Sequence, residues 1–422
     1  MNNNVKWGCI QPLTGGMYLG AERAIGHPAS WILSFKGLDS VKYNKDNTKI
    51  VSTGNEYNLL QYLKKVNREV PYFTFDCGMF DNKPISEANI SGEPNLNGMD
   101  IVVAVPVCSG LSQATIARDK TKDSRNCNMK WITEYTLSII KPKVFIFENA
   151  PGLMGNKGDA VRNDLESLAI KNGYSVAYFK TDTKLHSNCQ KRPRTFILFQ
   201  RWIGDKQMTP SKINFVANTI TAQDYLKQIP LDASQQIPFK MSMLNKLLLG
   251  FCKEKFGSEW RKIMGKTPMH YITDNNLYNE LKEYILSNDN SKEAERAKNW
   301  LDHVKYKLSL GLNYYSNAIW YYDDLTPSIQ FKTIQSLLHH NEDRLLTVRE
   351  ALWLMGMPYD FDLQGDPEID GPKIGQNVPV GTAEYIVNEA IRWIENWESN
   401  DRVVDSVKNT AFYDNTKQTQ IW

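Results

Sequence analysis

The sequence is poor in cysteine, in long apolar runs and in net charge. Its six cysteines form no CxxC pair and no cysteine–histidine spacing typical of a metal site, so we expect reduced thiols in a reducing compartment. No segment approaches the roughly 18 apolar residues of a membrane span, and no early run has the shape of a signal peptide. We therefore expect a cytoplasmic protein with no membrane partner. A net charge of +3 permits nucleic-acid binding without arguing for it.

Short apolar strands alternate with helical patterns over the first 200 of the 422 residues. Predicted strands cover residues 5–10, 30–35, 71–75, 101–105, 144–147, 175–179 and 195–199. Helical patterns begin near residue 17 and recur at 132–140 and 160–171. Strands and helices in alternation predict an α/β fold with a doubly wound, mostly parallel sheet.

The pattern changes near residue 202, where the chain becomes rich in lysine, asparagine and aromatic residues. A helical pattern returns at residue 344, and an amphipathic helix is predicted at 383–397. A chain of this length can hold one large core and a second, smaller domain. We predict a first domain over 1–201, an inserted smaller domain over 202–326, a return to the first domain over 327–397 and a loosely held tail over 398–422.

A cysteine follows the strand predicted at 101–105. Residues 99–112 read MDIVVAVPVCSGLS, so the apolar run ends at Pro106 and Cys108 stands in a tight loop. Ligand sites of open α/β sheets lie at the carboxyl ends of strands, where a thiol is a candidate nucleophile. A free cysteine in such a place is more often a small buried hydrophobe, so this segment alone leaves both readings open.

Polar residues also stand at two other strand ends. Glu148 follows the apolar run at 144–147, which should raise the pKa of its carboxyl group and suit a donor near neutral pH. A helix cap or a surface carboxylate is the ordinary alternative. Gln190, Arg192 and Arg194 alternate along QKRPR, so they share one face of an extended segment. They could converge on one site or form a charged strand entry.

A glycine-rich turn follows the first predicted strand. Gly15 and Gly16 open the segment GGMYLGAE, which continues through Gly20 to Glu22. Such a turn lets the backbone approach a cofactor at a helix N-terminus. Ordinary turn glycines are the alternative.

Taken together, these segments resemble the DNA (cytosine-5) methyltransferases. Residues 344–358, RLLTVREALWLMGMP, are similar to the family's RxLTxRE…GFP segment, and residues 375–380, GQNVPV, are similar to its late GNxVP segment. The motifs occur in the family's order, with the variable region where the family keeps its target-recognition domain. The resemblance covers roughly residues 1–200 and 326–395.

The resemblance implies a Rossmann-like class I methyltransferase fold, S-adenosyl-L-methionine as cofactor and double-stranded DNA as partner. Cys108 matches the nucleophile that adds to C6 of a cytosine flipped out of the helix, so that C5 can accept the methyl group. Glu148 matches the carboxyl group that hydrogen-bonds the base. Arg192 and Arg194 match the arginines that grip the base and position the cysteine loop.

Further contacts follow from the same resemblance and from one basic cluster. The implied cofactor contacts are Pro12, Thr14, Gly15, Gly16, Asp76, Pro106, Asn377 and Val378. The implied DNA contacts are Ser109, Gly110, Ser112 and Gln190. Lys253, Lys255, Arg261 and Lys262 stand near aromatic residues and are candidate phosphate contacts, with a solvated helix face as the equal alternative.

The cofactor end departs from the family's pattern. Aligned with F-x-G-x-G-G, the chain has Gln11 in place of the aromatic residue and Leu13 in place of the first glycine. Ser34 or Phe35 stands where a strand usually ends in the acidic residue that binds ribose. Two further replacements are Gln376 for the asparagine of the late segment and Val107 for the proline before the nucleophile.

Three explanations fit these departures. The site could hold S-adenosyl-L-methionine through backbone groups, could take a modified relative of it, or could need a partner or DNA to order the pocket. We favour the first, because Gly15, Gly16, Gly20 and Glu22 are retained. We predict an active DNA methyltransferase, with a non-enzymatic DNA- or partner-binding relative and an RNA cytosine methyltransferase as alternatives. We expect a monomer, since flipping one base requires no two-fold symmetry.

Overall fold

The computed structural model describes residues 4–92, 94–107, 111, 124–204, 207–214, 216–229, 238–261, 272, 276–288, 291–310, 325–329, 336–398 and 409–416. The strands are β1 (Trp7–Ile10), β2 (Trp31–Phe35), β3 (Val41–Tyr43), β4 (Ile50–Thr53), β5 (Tyr72–Phe75), β6 (Ile101–Ala104), β7 (Val144–Asn149), β8 (Tyr174–Asp182), β9 (Gln190–Lys191), β10 (Pro193–Arg201), β11 (Thr326–Pro327) and β12 (Thr410–Asp414). The helices are α1 (Gly16–Ile25), α2 (Tyr57–Lys65), α3 (Cys127–Tyr135), α4 (Asp159–Lys171), α5 (Ala222–Leu226), α6 (Met243–Phe256), α7 (Tyr278–Asn288), α8 (Lys292–Ser309), α9 (Val348–Trp353), α10 (Pro367–Gln376) and α11 (Val380–Glu398).

An eight-stranded sheet forms the centre of the fold, in the order β12-β8-β10-β7-β6-β1-β2-β5. Only β10 runs antiparallel to its neighbours in this sheet, so the predicted mostly parallel α/β fold is confirmed. Alternate residues of β6 face opposite cores: Ile101 and Val103 join one, and Val102 and Ala104 join the other. The central strands are therefore buried on both faces, as their continuous apolar sequences indicate.

The strand register gathers the chemically interesting residues at one edge of the sheet. Ile10 pairs with Ala104, and Ala104 pairs with Phe147, so β1, β6 and β7 end side by side. Because β10 runs the other way, Phe196 lies opposite Glu148 and the beginning of β10 reaches the same edge. The carboxyl ends of three parallel strands and the amino end of β10 thus share one edge, where open α/β sheets bind ligands.

Helices α1 and α11 pack closely on one face of the sheet. A Cβ atom on Gly20 would lie 2.5 Å from the Cβ of Ala383, so only glycine allows this approach. Glu22 forms an ion pair with Arg68 at 3.0 Å. In the described structure Gly20 allows α1 to pack against α11 and Glu22 binds Arg68, and their bearing on cofactor binding remains a prediction.

Helices α6, α7 and α8 form a second group outside the sheet, built around the buried side chains of Leu248, Leu281 and Leu301. The segment before this group pairs with the returning chain, since the Phe239 amide donates to the Leu346 carbonyl at 3.0 Å. The domain boundaries remain a prediction.

The C-terminal residues were predicted to be a loosely held tail, and for Thr410–Asp414 this is wrong. These residues form β12, which pairs parallel with β8 along its whole length and ends the sheet. β12 is a short edge strand, and its three apolar or aromatic residues, Ala411, Phe412 and Tyr413, are too few to stand out from the polar sequence around them. In the part of the chain that is described, no helix is long and apolar enough to cross a membrane.

Candidate active site

Glu148 and Arg194 form a buried pair at the edge of the sheet. The Arg194 Nε lies 2.7 Å from Glu148 Oε1, and the two side chains are only 13% and 5% exposed. Burial raises the pKa of the Glu148 carboxyl group, while the charges of Arg194 and Arg192 oppose the rise. Burial thus shifts the pKa of Glu148 in the predicted direction, upwards from its ordinary value.

Arg192 occupies a different environment from Arg194. Its buried guanidinium donates to the Ile329 carbonyl at 2.5 Å and to the Gly375 and Asn377 carbonyls, each at 2.9 Å. These bonds fasten the late segment to the chain after β11. The resemblance assigned both arginines to gripping the base and positioning the cysteine loop; Arg194 contacts the Glu148 carboxyl group, whereas Arg192 binds backbone carbonyls of other segments. We therefore treat Arg192 as a positioning residue.

Cys108 lies outside the described residues, as do Ser109, Gly110, Ser112 and Lys262. The chain on either side is described. The Val107 amide donates to Asn128 Oδ1 at 2.8 Å. On the other side, a Cβ atom on Gly152 would lie 2.3 Å from the Leu111 carbonyl oxygen, so the loop after β7 approaches Leu111 too closely for any residue but glycine.

Asn149 shapes the turn that follows Glu148. Its side chain is fully buried, and its Oδ1 accepts the Ala150 amide at 2.9 Å. Its Nδ2 has no hydrogen-bond partner among the described residues. The side chain therefore holds the loop next to the carboxyl group.

The loop between β1 and α1 has the backbone of a glycine-rich turn although the first glycine of the family's pattern is replaced by Leu13. Leu13 has a φ of 52° and Gln11 a φ of 50°, both in the left-handed region that favours glycine. A left-handed conformation at a residue with a Cβ costs roughly 1–2 kcal/mol. Leu13 thus has the backbone conformation expected of the glycine that it replaces, and this conformation is strained.

The late segment closes over this loop. Asn377 Oδ1 accepts the Gly16 amide at 2.7 Å, and a Cβ atom on Gly16 would lie 1.8 Å from the Val378 carbonyl oxygen. Thr14 Oγ1 donates to the Lys373 carbonyl at 2.8 Å. The Pro12 carbonyl accepts the Gly15 amide at 3.0 Å. The predicted cofactor residues of the two segments therefore lie together, and Pro106 follows the neighbouring strand β6.

The matching family model is that of the C-5 cytosine-specific DNA methylases, and it covers residues 73–392. The chain belongs to this family. Among curated relatives, a type II methyltransferase of Bacillus paralicheniformis is 24% identical over 330 residues, which is 67% of this chain and 67% of the relative. A type II methyltransferase of Haemophilus parahaemolyticus is 21% identical over 315 residues, or 74% of this chain and 73% of the relative.

Solved structures agree with the fold. A protein provisionally named as a DNA modification methyltransferase encoded within an E. coli prophage has a TM-score of 0.53 at 18% identity, over 93% of this chain and all of that one. A methyltransferase of Entamoeba histolytica has a TM-score of 0.52 at 13% identity, over 93% of this chain and 98% of that one. The methylase family uses S-adenosyl-L-methionine, which is the cofactor expected here.

The methylase has polar atoms that suit this cofactor beside the glycine loop. Gln11 Oε1 and Asn377 Nδ2 are buried, and neither has a hydrogen-bond partner among the described residues. Buried polar atoms without partners are costly, so they favour a polar ligand that completes their hydrogen bonds. The residues present therefore fit a cofactor that carries both donors and acceptors.

Glu56 is a residue that the sequence reasoning missed. Its fully buried carboxyl group accepts from Ser34 Oγ at 2.7 Å and from the Tyr72 hydroxyl at 3.0 Å, and burial raises its pKa to about 8. Ser34 stands where the methylases usually have an acidic residue, and Glu56 brings a carboxyl group to that point from the N-terminus of α2. The sequence alone did not indicate Glu56, because the β3–β4 hairpin separates it in the chain from the end of β2.

Asp76 follows β5 and so lies at the same edge of the sheet. Its carboxylate binds Lys83 Nζ at 2.6 Å and the Asn89 side-chain amide at 3.2 Å. The hydrogen bond from Lys83 lowers the pKa of Asp76. The carboxylate is therefore charged at neutral pH, as an acceptor of an amine requires, and its contact with the cofactor remains a prediction.

The predicted DNA contacts do not form one open basic face in the described residues. Lys253 pairs with Asp343, Lys255 pairs with Glu280, and Arg261 Nη2 pairs with Asp343 at 2.9 Å. Arg261 also donates to two backbone carbonyls of the 340–343 loop, so it joins the helical group to the returning chain. We no longer assign Arg261 to DNA.

Gln190 is also no longer assigned to DNA. Its side chain is 0% exposed, its Nε2 donates to the Leu354 carbonyl at 2.8 Å, and its Oε1 accepts the Ile329 amide at 3.1 Å. A side chain whose donor and acceptor are both used inside the protein has no group left for a phosphate or a base. Gln190 instead joins β9 to the chain after β11 and to the helix region around Leu354.

Proposed function

We propose that this methylase is a DNA cytosine-5 methyltransferase that attacks a flipped cytosine through Cys108. The buried pair of Glu148 and Arg194 is the observation that supports the proposal, because Glu148 lies near the end of β7, next to β6 and the chain that leads to Cys108, and burial raises the pKa of its carboxyl group. The methylase family and its type II relatives support DNA as the substrate.

Cytosine C5 is a poor nucleophile, and the proposed residues change this. The Cys108 thiolate forms a bond to C6, and Glu148, as a neutral acid, donates a hydrogen bond to N3 so that charge does not build up on the ring. Arg194 holds the Glu148 carboxyl group in place through its 2.7 Å contact. C5 then becomes electron-rich enough to accept an electrophile.

S-adenosyl-L-methionine, when bound, supplies the methyl group. The groups proposed to hold it are Gln11 Oε1 and Asn377 Nδ2, beside the glycine turn of Gly15 and Gly16, and the carboxylate of Asp76. After the transfer, a water or hydroxide removes the C5 proton, the electron pair returns to the ring, and the bond between C6 and sulfur breaks. The thiolate of Cys108 is thereby restored.

The target base has to leave the double helix before this chemistry can occur. A residue in a loop above the sheet edge cannot reach C6 of a stacked base, and flipping costs a few kcal/mol. We propose that the segment between β10 and β11, which contains α5 to α8, binds the duplex around the flipped base. Lys253 and Lys255, which remain 45% and 40% exposed, are retained as candidate phosphate contacts.

Covalent trapping tests the proposal. The protein is incubated with S-adenosyl-L-methionine and a pool of duplexes that carry 5-fluorocytosine in randomised sequence contexts, because fluorine cannot leave as a proton does. A denaturation-resistant protein–DNA complex is expected, and Cys108→Ser should abolish it. The absence of a complex, where a known cytosine-5 methyltransferase is trapped from the same pool, would overturn the proposal. Trapping by RNA alone would favour the RNA enzyme.

A further inference from the structure

The backbone amide next to Cys108 is bound by a buried side chain. Asn128 is the second residue of α3, and its side chain is 0% exposed. Its Oδ1 accepts the Val107 amide at 2.8 Å, and its Nδ2 lies 3.4 Å from the Met79 carbonyl oxygen. One side-chain amide therefore joins the loop after β6 to the loop after β5.

These two contacts fix the orientation of the Asn128 amide. The Nδ2 can only donate and the Oδ1 can only accept, so the contact with the Met79 carbonyl directs the oxygen towards Val107. The helix that carries Asn128 is anchored in the core by Met129 and Ile132, both fully buried. The acceptor is therefore a rigid point, and the Val107 amide is held against it.

The residue type at position 107 makes this contact necessary. A proline there would have no N–H group and a fixed φ, so its backbone would need no acceptor. Valine carries an N–H group and leaves φ free to vary. If the half-buried Val107 amide loses its acceptor, the orientation of the chain at this point is no longer fixed. A shift of about 1 Å at a reacting group can lower the rate on the order of a hundredfold.

We propose that Asn128 is a positioning residue for the nucleophile: its Oδ1 fixes the Val107 amide and so the direction in which the chain enters Cys108. The inference rests on the proposed function, because it is Cys108 chemistry that Asn128 would serve. Asn128 itself contacts Val107 and Met79 and is not a catalytic residue.

A double-mutant cycle tests the inference. Asn128→Leu keeps the side-chain size but removes the acceptor, and it should slow covalent trapping on 5-fluorocytosine DNA about tenfold, with DNA affinity changed by less than about twofold. Val107→Pro removes the donor. The double variant Val107→Pro/Asn128→Leu, which has neither partner, should trap within about threefold of the wild-type rate.

Ile132→Val is the matched control on the same helix, because it weakens the packing of α3 without touching the Val107 amide. It should trap at the wild-type rate within about twofold. If Asn128→Leu traps as fast as this control, or if the double variant is as slow as Asn128→Leu alone, the inference is wrong. A wild-type protein that forms no complex would instead overturn the proposed function, and the inference with it.

Amide hydrogen exchange in the wild-type protein tests the same hydrogen bond and requires neither enzymatic activity nor a folded variant. In the wild-type protein the Val107 amide should be protected, since it is hydrogen-bonded to a buried acceptor. Exchange at Val107 at the rate of an open chain would contradict the inference even if Asn128→Leu failed to fold.

Discussion

The proposed base-binding side and the proposed cofactor-binding side of the sheet edge are built in different ways. On the base-binding side, Glu148 and Arg194 come from adjacent strands whose register brings them together. On the cofactor-binding side, Leu13 is held in a strained conformation, and the carboxyl group of Glu56 arrives from beyond an inserted hairpin. Strand register fixes the first arrangement, whereas loops and packing fix the second.

The largest effect is expected at Glu148. Glu148→Gln keeps the shape of the side chain but removes the proton that the carboxyl group can hold, so covalent trapping should slow by about 10²–10⁴-fold. Affinity for S-adenosyl-L-methionine, measured by calorimetry, should stay the same because Glu148 lies on the base-binding side. If Glu148→Gln instead loses cofactor affinity and forms the covalent complex at the wild-type rate, the assignment of Glu148 to the base-binding side is wrong.

The next effect is expected at Gly16, on the cofactor-binding side. In Gly16→Ala the new Cβ would meet the Val378 carbonyl oxygen, at 1.8 Å in the present geometry, so the late segment has to move. We expect cofactor affinity to fall about tenfold or more by calorimetry, in line with the about 1–3 kcal/mol that overpacking costs. Gly155→Ala is the control, since its nearest contact is 3.6 Å away, and it should bind normally. Equal affinities in the two variants would contradict the proposed closure of the loop.

Glu56 should make stability depend on pH. Its pKa is raised from 4.5 to about 8 in the folded protein, so the folded state binds more protons than the unfolded state between these values. Stability therefore falls as pH rises through this window. The side chain at position 56 cannot ionise in Glu56→Gln, so the variant does not lose this stability as pH rises. The free energy of unfolding of Glu56→Gln minus that of the wild type should therefore increase by about 1 kcal/mol or more between pH 5 and pH 8.

Denaturant titrations at several pH values measure this difference. The exposed Glu69→Gln serves as control and should follow the wild-type curve. Parallel curves for Glu56→Gln and wild type would show that the Glu56 carboxyl group is not held neutral by burial.

The smallest effect is expected at Lys83. Lys83→Met removes the hydrogen bond that lowers the pKa of Asp76, so that pKa should rise towards its ordinary value. Asp76 stays ionised at neutral pH in either case, and the pair is exposed, so cofactor affinity should change by less than about threefold. A larger loss would mean that Lys83 itself contacts the cofactor.

Much of the base-binding side could be predicted from the sequence, because strand ends are visible as apolar runs that stop. Glu148 ends such a run, and Arg194 alternates along the next strand. Gln190 shares that alternation, yet its side chain is used inside the protein, which a two-residue period cannot reveal. The pairing of Lys253 and Arg261 with Asp343 was equally hidden, because the acid lies about 80–90 residues further along the chain.

On the cofactor-binding side, the sequence showed what was missing but not what replaces it. The sequence shows Leu13 at a position where the family's pattern has glycine, whereas its left-handed backbone is visible only in the structure. Glu56 on this side and Asn128 on the other contact segments that are distant from them in sequence, and neither belongs to a pattern of fixed spacing. Such residues follow from packing, which the order of motifs does not encode.

Peptide mapping of the covalent complex tests the central claim most directly. The protein is trapped on 5-fluorocytosine duplex DNA in the presence of S-adenosyl-L-methionine, digested, and analysed by mass spectrometry for the residue that carries the modified base. The account predicts a methylated base attached to the sulfur of Cys108. A base attached to any of the other five cysteines, or a trapped complex formed by Cys108→Ser, would contradict it.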